Sequence, residues 1–241
     1  MQRKATFQFM YELNDFLQKK NRNQSITYVY KEAPSIKDAI EAIGIPHPEV
    51  AIILANNQSV SFDYKINNLD EIKVFPYYHK MDIQDIVSIK PLGKARFILD
   101  VHLGGLARYL RMAGFDVLYN NEDWGDKYIA DRGGKEKRIV LTRDVGLLKR
   151  SSVVFGYYLR KKDSYEQFKE VTERYRLNAH FDPFTRCIRC NGAIEKVSKT
   201  EIIDKLEPGT IEEYNEFWQC IGCKQIYWKG SHYNRMLELM K

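Results

Sequence analysis

Polar and hydrophobic residues alternate with period two in several short segments of the first third of the chain, which predicts β-strands. Between the second and third segments, apolar residues recur at helical spacing over residues 36–43. Ser35 can cap the start of this helix and Gly44 can end it. The pattern therefore predicts one helix packed on a small sheet. The alternating segments are residues 5–10, 26–30, 50–55, 59–62 and 71–76.

This order and size resemble a ubiquitin-like β-grasp domain of the sulfur-carrier type, over residues 1–78. Carriers of that type end in a free Gly-Gly tail, whereas here Phe75-Pro-Tyr-Tyr-His79 continues into more chain. We therefore expect an interaction or substrate-docking module with a possible protein partner, and a purely structural appendage is the alternative. Residues 79–94 show no sustained period and are expected to connect this domain to the next.

From residue 95 the pattern changes to strands alternating with helices, which is typical of a parallel sheet covered by helices. A helical apolar face follows the first strand from Leu103, and a capping box begins at Ser164 after the fourth. The fold class predicted for residues 95–180 is therefore α/β. The predicted strands are residues 96–101, 116–119, 138–142 and 153–159.

An acidic residue follows each of these four strands, at the end where open α/β sheets collect their ligands. Crowded carboxylates must raise a pKa or bind a cation, and hard oxygen ligands favour Mg²⁺ or Mn²⁺. Such an ion can activate water and stabilise the charge that develops on a phosphate. The alternative for each acid alone is a helix cap or a turn. The candidate catalytic residues are Asp100, Asp126, Asp144 and Asp163, with Asp100 and Asp144 as the principal metal ligands.

Basic side chains that could bind substrate phosphates lie nearby in the sequence. Arg108 and Arg111 are three residues apart on one predicted helix, and Arg143 directly precedes Asp144. Each of them can equally be a solvated surface charge. A phosphate-binding loop, a dinucleotide fingerprint and a Ser or Cys nucleophile motif are not recognised in the sequence.

All four cysteines fall in two C-x-x-C motifs, Cys187-Ile-Arg-Cys190 and Cys220-Ile-Gly-Cys223. Two such knuckles supply four thiolates for a tetrahedral Zn²⁺ ion, which we expect to be structural. Residues 181–241 are then a zinc ribbon too small for a large core of its own. Basic and aromatic residues around the knuckles could bind RNA. Trp218 is expected to pack in the ribbon core, whereas Trp228 is a candidate both for the core and for RNA binding.

The distribution of charge and of apolar residues indicates a class of partner and a location. Residues 1–90 are neutral, so the whole formal net charge of +6 lies on residues 91–241, where a polyanionic partner is expected. The sequence has no apolar run of the length of a membrane span and no signal-like stretch near Met1. We therefore expect a cytoplasmic protein that does not bind membranes.

The segments Arg96-Phe-Ile-Leu-Asp100, Leu103–Tyr119 and Ile139–Lys149 together resemble the Mut-seven C-terminal RNase family, a branch of the PIN-like nucleases. The β-grasp domain in front and the four-cysteine ribbon behind are similar to that family's arrangement. The resemblance implies a PIN-like fold and metal-dependent RNA cleavage, with acids at Asp100, Asp126 and Asp144. Residues 120–126 hold fewer Asp than expected, which leaves open which acid of residues 122–126 binds metal.

The function predicted from the sequence is a divalent-metal-dependent ribonuclease that cleaves RNA phosphodiesters with a metal-activated water. The alternatives are a non-catalytic RNA-binding or ribosome-associated adaptor and a metal-dependent phosphatase. The physiological RNA, endo- or exonucleolytic action and the oligomeric state are not predicted.

Overall fold

The computed structural model describes residues 2–76 and 95–238, and the predicted linker at 79–94 lies outside the described residues. These residues fall into two compact units. The first unit comprises Met1–Gly93 and Gly125–Leu159, and the second comprises Lys94–Trp124 and Arg160–Lys241. The predicted nuclease domain is thus divided between the two units, and its predicted outer boundaries stay a prediction.

The strands predicted within residues 1–78 and 95–180 occur in the predicted order, and further helices and strands lie between and after them. The strands are β1 (Arg3–Phe9), β2 (Ile26–Tyr30), β3 (Val50–Ala55), β4 (Gln58–Ser59), β5 (Glu71–Pro76), β6 (Arg96–Leu99), β7 (Asp116–Leu118), β8 (Ile139–Thr142), β9 (Phe155–Tyr158), β10 (Ile194–Val197), β11 (Phe217–Cys220) and β12 (Ile226–Tyr227). The helices are α1 (Ile36–Ile43), α2 (Gly104–Met112), α3 (Gly125–Glu136), α4 (Val145–Leu148), α5 (Ser164–Tyr175), α6 (Lys199–Ile202), α7 (Pro208–Glu213) and α8 (Ser231–Glu238).

The amino-terminal sheet of the first unit has the strand order β2-β1-β5-β3-β4. β1 pairs in parallel with β5, and the other neighbours are antiparallel. Ser35 caps α1, because its Oγ accepts a hydrogen bond of 3.1 Å from the amide of Asp38. Ile36, Ala39 and Ile40 of α1 are buried in the core of this domain. The β-grasp prediction is therefore confirmed, although β4 is shorter than the predicted strand over 59–62.

The β-grasp domain packs against β9 within the first unit. Glu49 is fully buried and its carboxylate accepts a hydrogen bond from the amide of Tyr158. His47 Nε2 lies 2.6 Å from the carbonyl oxygen of Val153. A Cβ at Gly156 would lie 3.2 Å from Pro48 Cβ, so glycine permits this close approach. Part of the predicted interaction module therefore contacts its own chain, covering an amide of a strand that would otherwise be exposed.

Parallel strand pairs occur in both units. β8 pairs with β9 in the first unit, and β6 pairs with β7 in the second. In the second unit, α2 packs against α5 so closely that a Cβ at Gly105 would lie 2.1 Å from Ser164 Oγ. The predicted alternation of strands and helices is confirmed, with one antiparallel three-stranded sheet, β10-β11-β12, in the ribbon. No helix among residues 2–76 and 95–238 is long and apolar enough to span a membrane.

Candidate active site and metal centre

Asp100 is the first residue after β6 in the second unit, as the sequence predicts. The strand is buried from Phe97 to Leu99, while Asp100 is half-buried. Its Oδ1 accepts a hydrogen bond of 2.7 Å from the amide of Val101, at the start of the turn that leads into α2. Because a carboxylate has two oxygens with about four lone-pair sites, this bond is compatible with metal binding.

Asp163 is the N-cap of α5 in the same unit. Its Oδ1 accepts hydrogen bonds from the amides of Tyr165 at 2.9 Å and Glu166 at 3.1 Å. The capping box predicted to begin at Ser164 is therefore wrong by one position, because the cap is Asp163. Ser164 instead packs against Gly105.

Asp144 follows β8 in the first unit and is the N-cap of α4. Its Oδ1 accepts a hydrogen bond of 2.6 Å from the amide of Gly146, and its own amide donates to Thr142 Oγ1 at 2.9 Å. Arg143, which lies between Thr142 and Asp144, is exposed. The end of this buried strand therefore presents one acidic and one basic residue side by side in the chain.

Asp126 lies in the first turn of α3, a helix of twelve residues. Asp126 Oδ2 is 3.8 Å from Arg150 Nη2, and both side chains are about 40% exposed. No sequence pattern points to Arg150, because it lies 24 positions further along the chain outside any motif. The first unit thus contains Asp126 and Asp144, and the second contains Asp100 and Asp163.

A basic cavity of about 500 Å³ lies in the second unit. Its wall combines the start of α2, the segment after β7 and the first cysteine knuckle. None of these described lining residues is acidic, so the cavity suits an anion. The lining residues are Gly104, Gly105, Arg108, Arg111, Tyr119, Asn120, Asn121, Ile188 and Arg189.

Arg108 and Arg111 have different environments in this cavity. Arg108 is exposed, whereas Arg111 is only 4% exposed. The Arg111 guanidinium makes five hydrogen bonds of 2.9–3.4 Å, which matches its five N–H donors. Burial lowers the pKa of Arg111, and the neighbouring Cys187 opposes that shift. Arg111 therefore links the first cysteine knuckle to β7 and the residue that follows it. The acceptors are the carbonyl oxygens of Val117, Tyr119, Ile188 and Arg189.

The four cysteine sulfurs lie within 4.8 Å of one another. Cys187 Sγ is 3.6 Å from Cys223 Sγ, and Cys190 Sγ is 3.4 Å from Cys220 Sγ. Such distances suit a tetrahedral ion with metal–sulfur bonds of about 2.3 Å. The group therefore fits Zn²⁺, as predicted.

The pKa values of two cysteines in this cluster are shifted in opposite directions. Burial raises the pKa of the Cys223 thiol to about 12. Burial also acts to raise the pKa of Cys190, but hydrogen bonds from the Gly192 amide and neighbouring cysteines lower it to about 6. A cation bound by the cluster would stabilise its thiolates.

Comparison with known families decides the classification. Residues 95–240 match the family described as the Mut7-C RNAse domain, and residues 2–82 match the one described as Mut7-C ubiquitin. The chain belongs to the Mut7-C RNAse family. Neither curated proteins nor solved structures gave a match.

The first knuckle of this Mut7-C chain also completes the edge of β7. Asn191 Oδ1 accepts a hydrogen bond of 2.9 Å from the amide of Val117, and Asn191 Nδ2 donates to Asp116 Oδ1 at 2.8 Å. Asn191 has a positive φ of 68°, which Asn tolerates better than most residues. The four-cysteine cluster of the Mut7-C domain is therefore joined to β7 by Asn191 and Arg111.

The two ribbon tryptophans have different surroundings. Trp218 is half-buried, and its ring centroid lies 5.1 Å from that of Phe184 in an edge-to-face contact. Lys229 Nζ lies 5.0 Å from the Trp218 ring centroid. Trp228, by contrast, is 36% exposed. Trp218 thus contributes to the small ribbon core, while part of the Trp228 side chain is accessible to solvent.

Proposed function

We propose that this Mut7-C chain is a divalent-metal-dependent ribonuclease that cleaves single-stranded RNA. The observation that carries the proposal is the position of Asp100 and Asp144, which lie one and two residues after the ends of buried parallel strands in an RNAse-family domain. Their carboxylates are hard ligands suited to Mg²⁺ or Mn²⁺. Asp126 and Asp163 are the further proposed ligands of this acidic set.

Each proposed residue has a defined task. Asp100 and Asp144 are the principal metal ligands, and each also holds a backbone amide that fixes its carboxylate. A divalent ion would supply an activated water and neutralise charge on the phosphate. Arg108 and Arg143, both exposed, are proposed to bind substrate phosphates. Arg111 contributes by holding the wall of the basic cavity.

The zinc-loaded full chain should cleave a labelled single-stranded RNA when Mn²⁺ or Mg²⁺ is added, and should not cleave it without them. The expected products are shorter RNAs resolved on a denaturing gel. Retained RNA affinity without cleavage in either metal would contradict the proposal and favour an RNA-binding adaptor. Turnover of small phosphomonoesters with indifference to RNA would contradict it in favour of a phosphatase.

The proposal also covers the compartment in which the protein acts and the partner that it binds. Four thiols arranged for zinc suit a reducing compartment, so we propose action in the cytoplasm. A protein partner of the ubiquitin-like domain is proposed to bind at β2, an edge strand on which Val29 is 49% exposed.

A further inference from the structure

A second cavity, of about 290 Å³, lies beside α8 in the ribbon of the second unit. Half of its described lining residues are aromatic, and none of them is charged. Flat aromatic rings around a small cavity are the surroundings in which an unpaired base stacks. The lining residues are Phe184, Ile188, Tyr214, Gln225, Ile226, Tyr227, Trp228, Gly230, Ser231 and Tyr233.

The rings of this aromatic cavity are held by mutual contacts. The Phe184 ring centroid lies 4.8 Å from that of Tyr233, edge to face. Trp228 lies 6.3 Å from Tyr214, with the two rings inclined at 45°. A Cβ at Gly230 would lie 3.0 Å from Trp228 Nε1, so a larger residue there would press on the indole. The exposed part of Trp228 is therefore available at the rim of a cavity whose other rings are packed.

Ile188 lines both the aromatic cavity and the basic cavity. Since one residue forms part of both walls, the two cavities adjoin at the first cysteine knuckle. The next residue, Arg189, is exposed in the basic cavity, and its carbonyl is fixed by Arg111. A cationic surface and an aromatic surface thus adjoin, as the phosphate and the base do in a nucleotide.

We propose that this knuckle face binds one unpaired nucleotide of RNA, with its phosphate against Arg108 and Arg189 and its base in the aromatic cavity. The inference rests on the proposed function, because it takes RNA as the ligand. Neither cavity is lined by an acidic residue among the described ones, which suits a polyanion. Base-paired RNA is excluded as the occupant, since its bases are stacked within the duplex.

The test measures binding to the zinc-loaded full chain without added Mg²⁺ or Mn²⁺, by fluorescence anisotropy. The two probes are a labelled RNA decamer and a decamer of abasic ribose phosphates with the same charge. Because base stacking on aromatic residues is lost, the abasic decamer should bind about 5- to 150-fold more weakly. Equal affinity for the two decamers would overturn the inference.

Trp228→Leu should remove most of this preference for bases, with zinc content and unfolding temperature showing that the ribbon is intact. Tyr11→Leu is the matched control, because Tyr11 is 49% exposed and lines neither cavity. If Trp228→Leu does not fold, Tyr214→Leu takes its place. A folded variant that keeps the full preference of the wild type would contradict the assignment of the cavity.

Arg189→Gln tests the phosphate half of the site. Removing one phosphate contact should reduce the salt dependence of affinity by about 0.7 in log–log slope. Lys205→Gln, an exposed ribbon cation that lines neither cavity, should leave the slope closer to that of the wild type. Equal slopes for Arg189→Gln and the wild type would overturn the role of Arg189.

Failure of this inference and failure of the ribonuclease proposal give different results. Base-dependent binding that needs Trp228, without any metal-dependent cleavage, supports the nucleotide site and contradicts the nuclease. Metal-dependent cleavage together with equal binding of both decamers contradicts the nucleotide site alone.

Discussion

The side chains of Asp100, Asp144 and Asp163 each accept amide hydrogen bonds where a helix or turn begins. The capping role that the sequence left as an alternative is thus observed in all three. It does not compete with metal binding, because each carboxylate retains further lone pairs. Asn caps a helix about as well as Asp, so Asp→Asn separates the two roles.

Arg111 shows what residue patterns could not predict. Its spacing from Arg108 suggested a second phosphate-binding cation, but Arg111 is buried against carbonyl oxygens up to 78 positions away in the sequence. Local periodicity contains no information about such distant acceptors. The position of the acids after the strands was predictable, because it depends on short-range patterns of apolar residues.

Arg111→Lys should lower the free energy of unfolding of the zinc-loaded protein by about 3 kcal/mol, since an ammonium cannot replace a buried five-donor fork. Denaturant unfolding measures this value. Arg108→Lys, on the exposed side of α2, should change stability by about 0.5 kcal/mol or less. Equal stabilities of the two variants would show that the Arg111 bonds contribute little.

At the level of elements, the cysteine knuckles were the most predictable feature, because all four cysteines occur in two C-x-x-C motifs. Their attachment to β7 was not predictable, since Asn191 acts through contacts 74 and 75 positions away. Buried apolar residues in the ribbon strands are few, with Phe217 and Cys220 in β11. The ribbon should therefore depend on its metal.

Removing zinc with a chelator should abolish amide exchange protection in β10, β11 and β12, while β1–β5 keep theirs. Structural zinc contributes on the order of 10 kcal/mol in small metal-folded peptides, far more than this core can replace. Hydrogen–deuterium exchange with mass spectrometry reads both regions in one sample. Cys190→Ser should behave like the chelated protein, and protection of the ribbon without metal would contradict a structural zinc.

At the level of the whole chain, the sequence predicted the kinds and order of modules better than their contacts. The β-grasp fold followed from alternation and one capped helix, whereas the Glu49 bond to Tyr158 joins residues 109 positions apart. The predicted docking module is thus partly occupied by β9 of its own chain. Family membership over residues 95–240 supports an RNase.

The central claim is that Asp100 serves RNA cleavage through a divalent ion and not only through its cap. The decisive measurement is the rate of Mn²⁺-dependent cleavage of single-stranded RNA by Asp100→Asn, with Asp131→Asn as an exposed acidic control. Residues that only support metal ligands cost about 10- to 100-fold when lost, so the rate should fall about 100-fold or more at unchanged unfolding temperature. A folded Asp100→Asn variant that cleaves at the rate of the wild type would contradict the account.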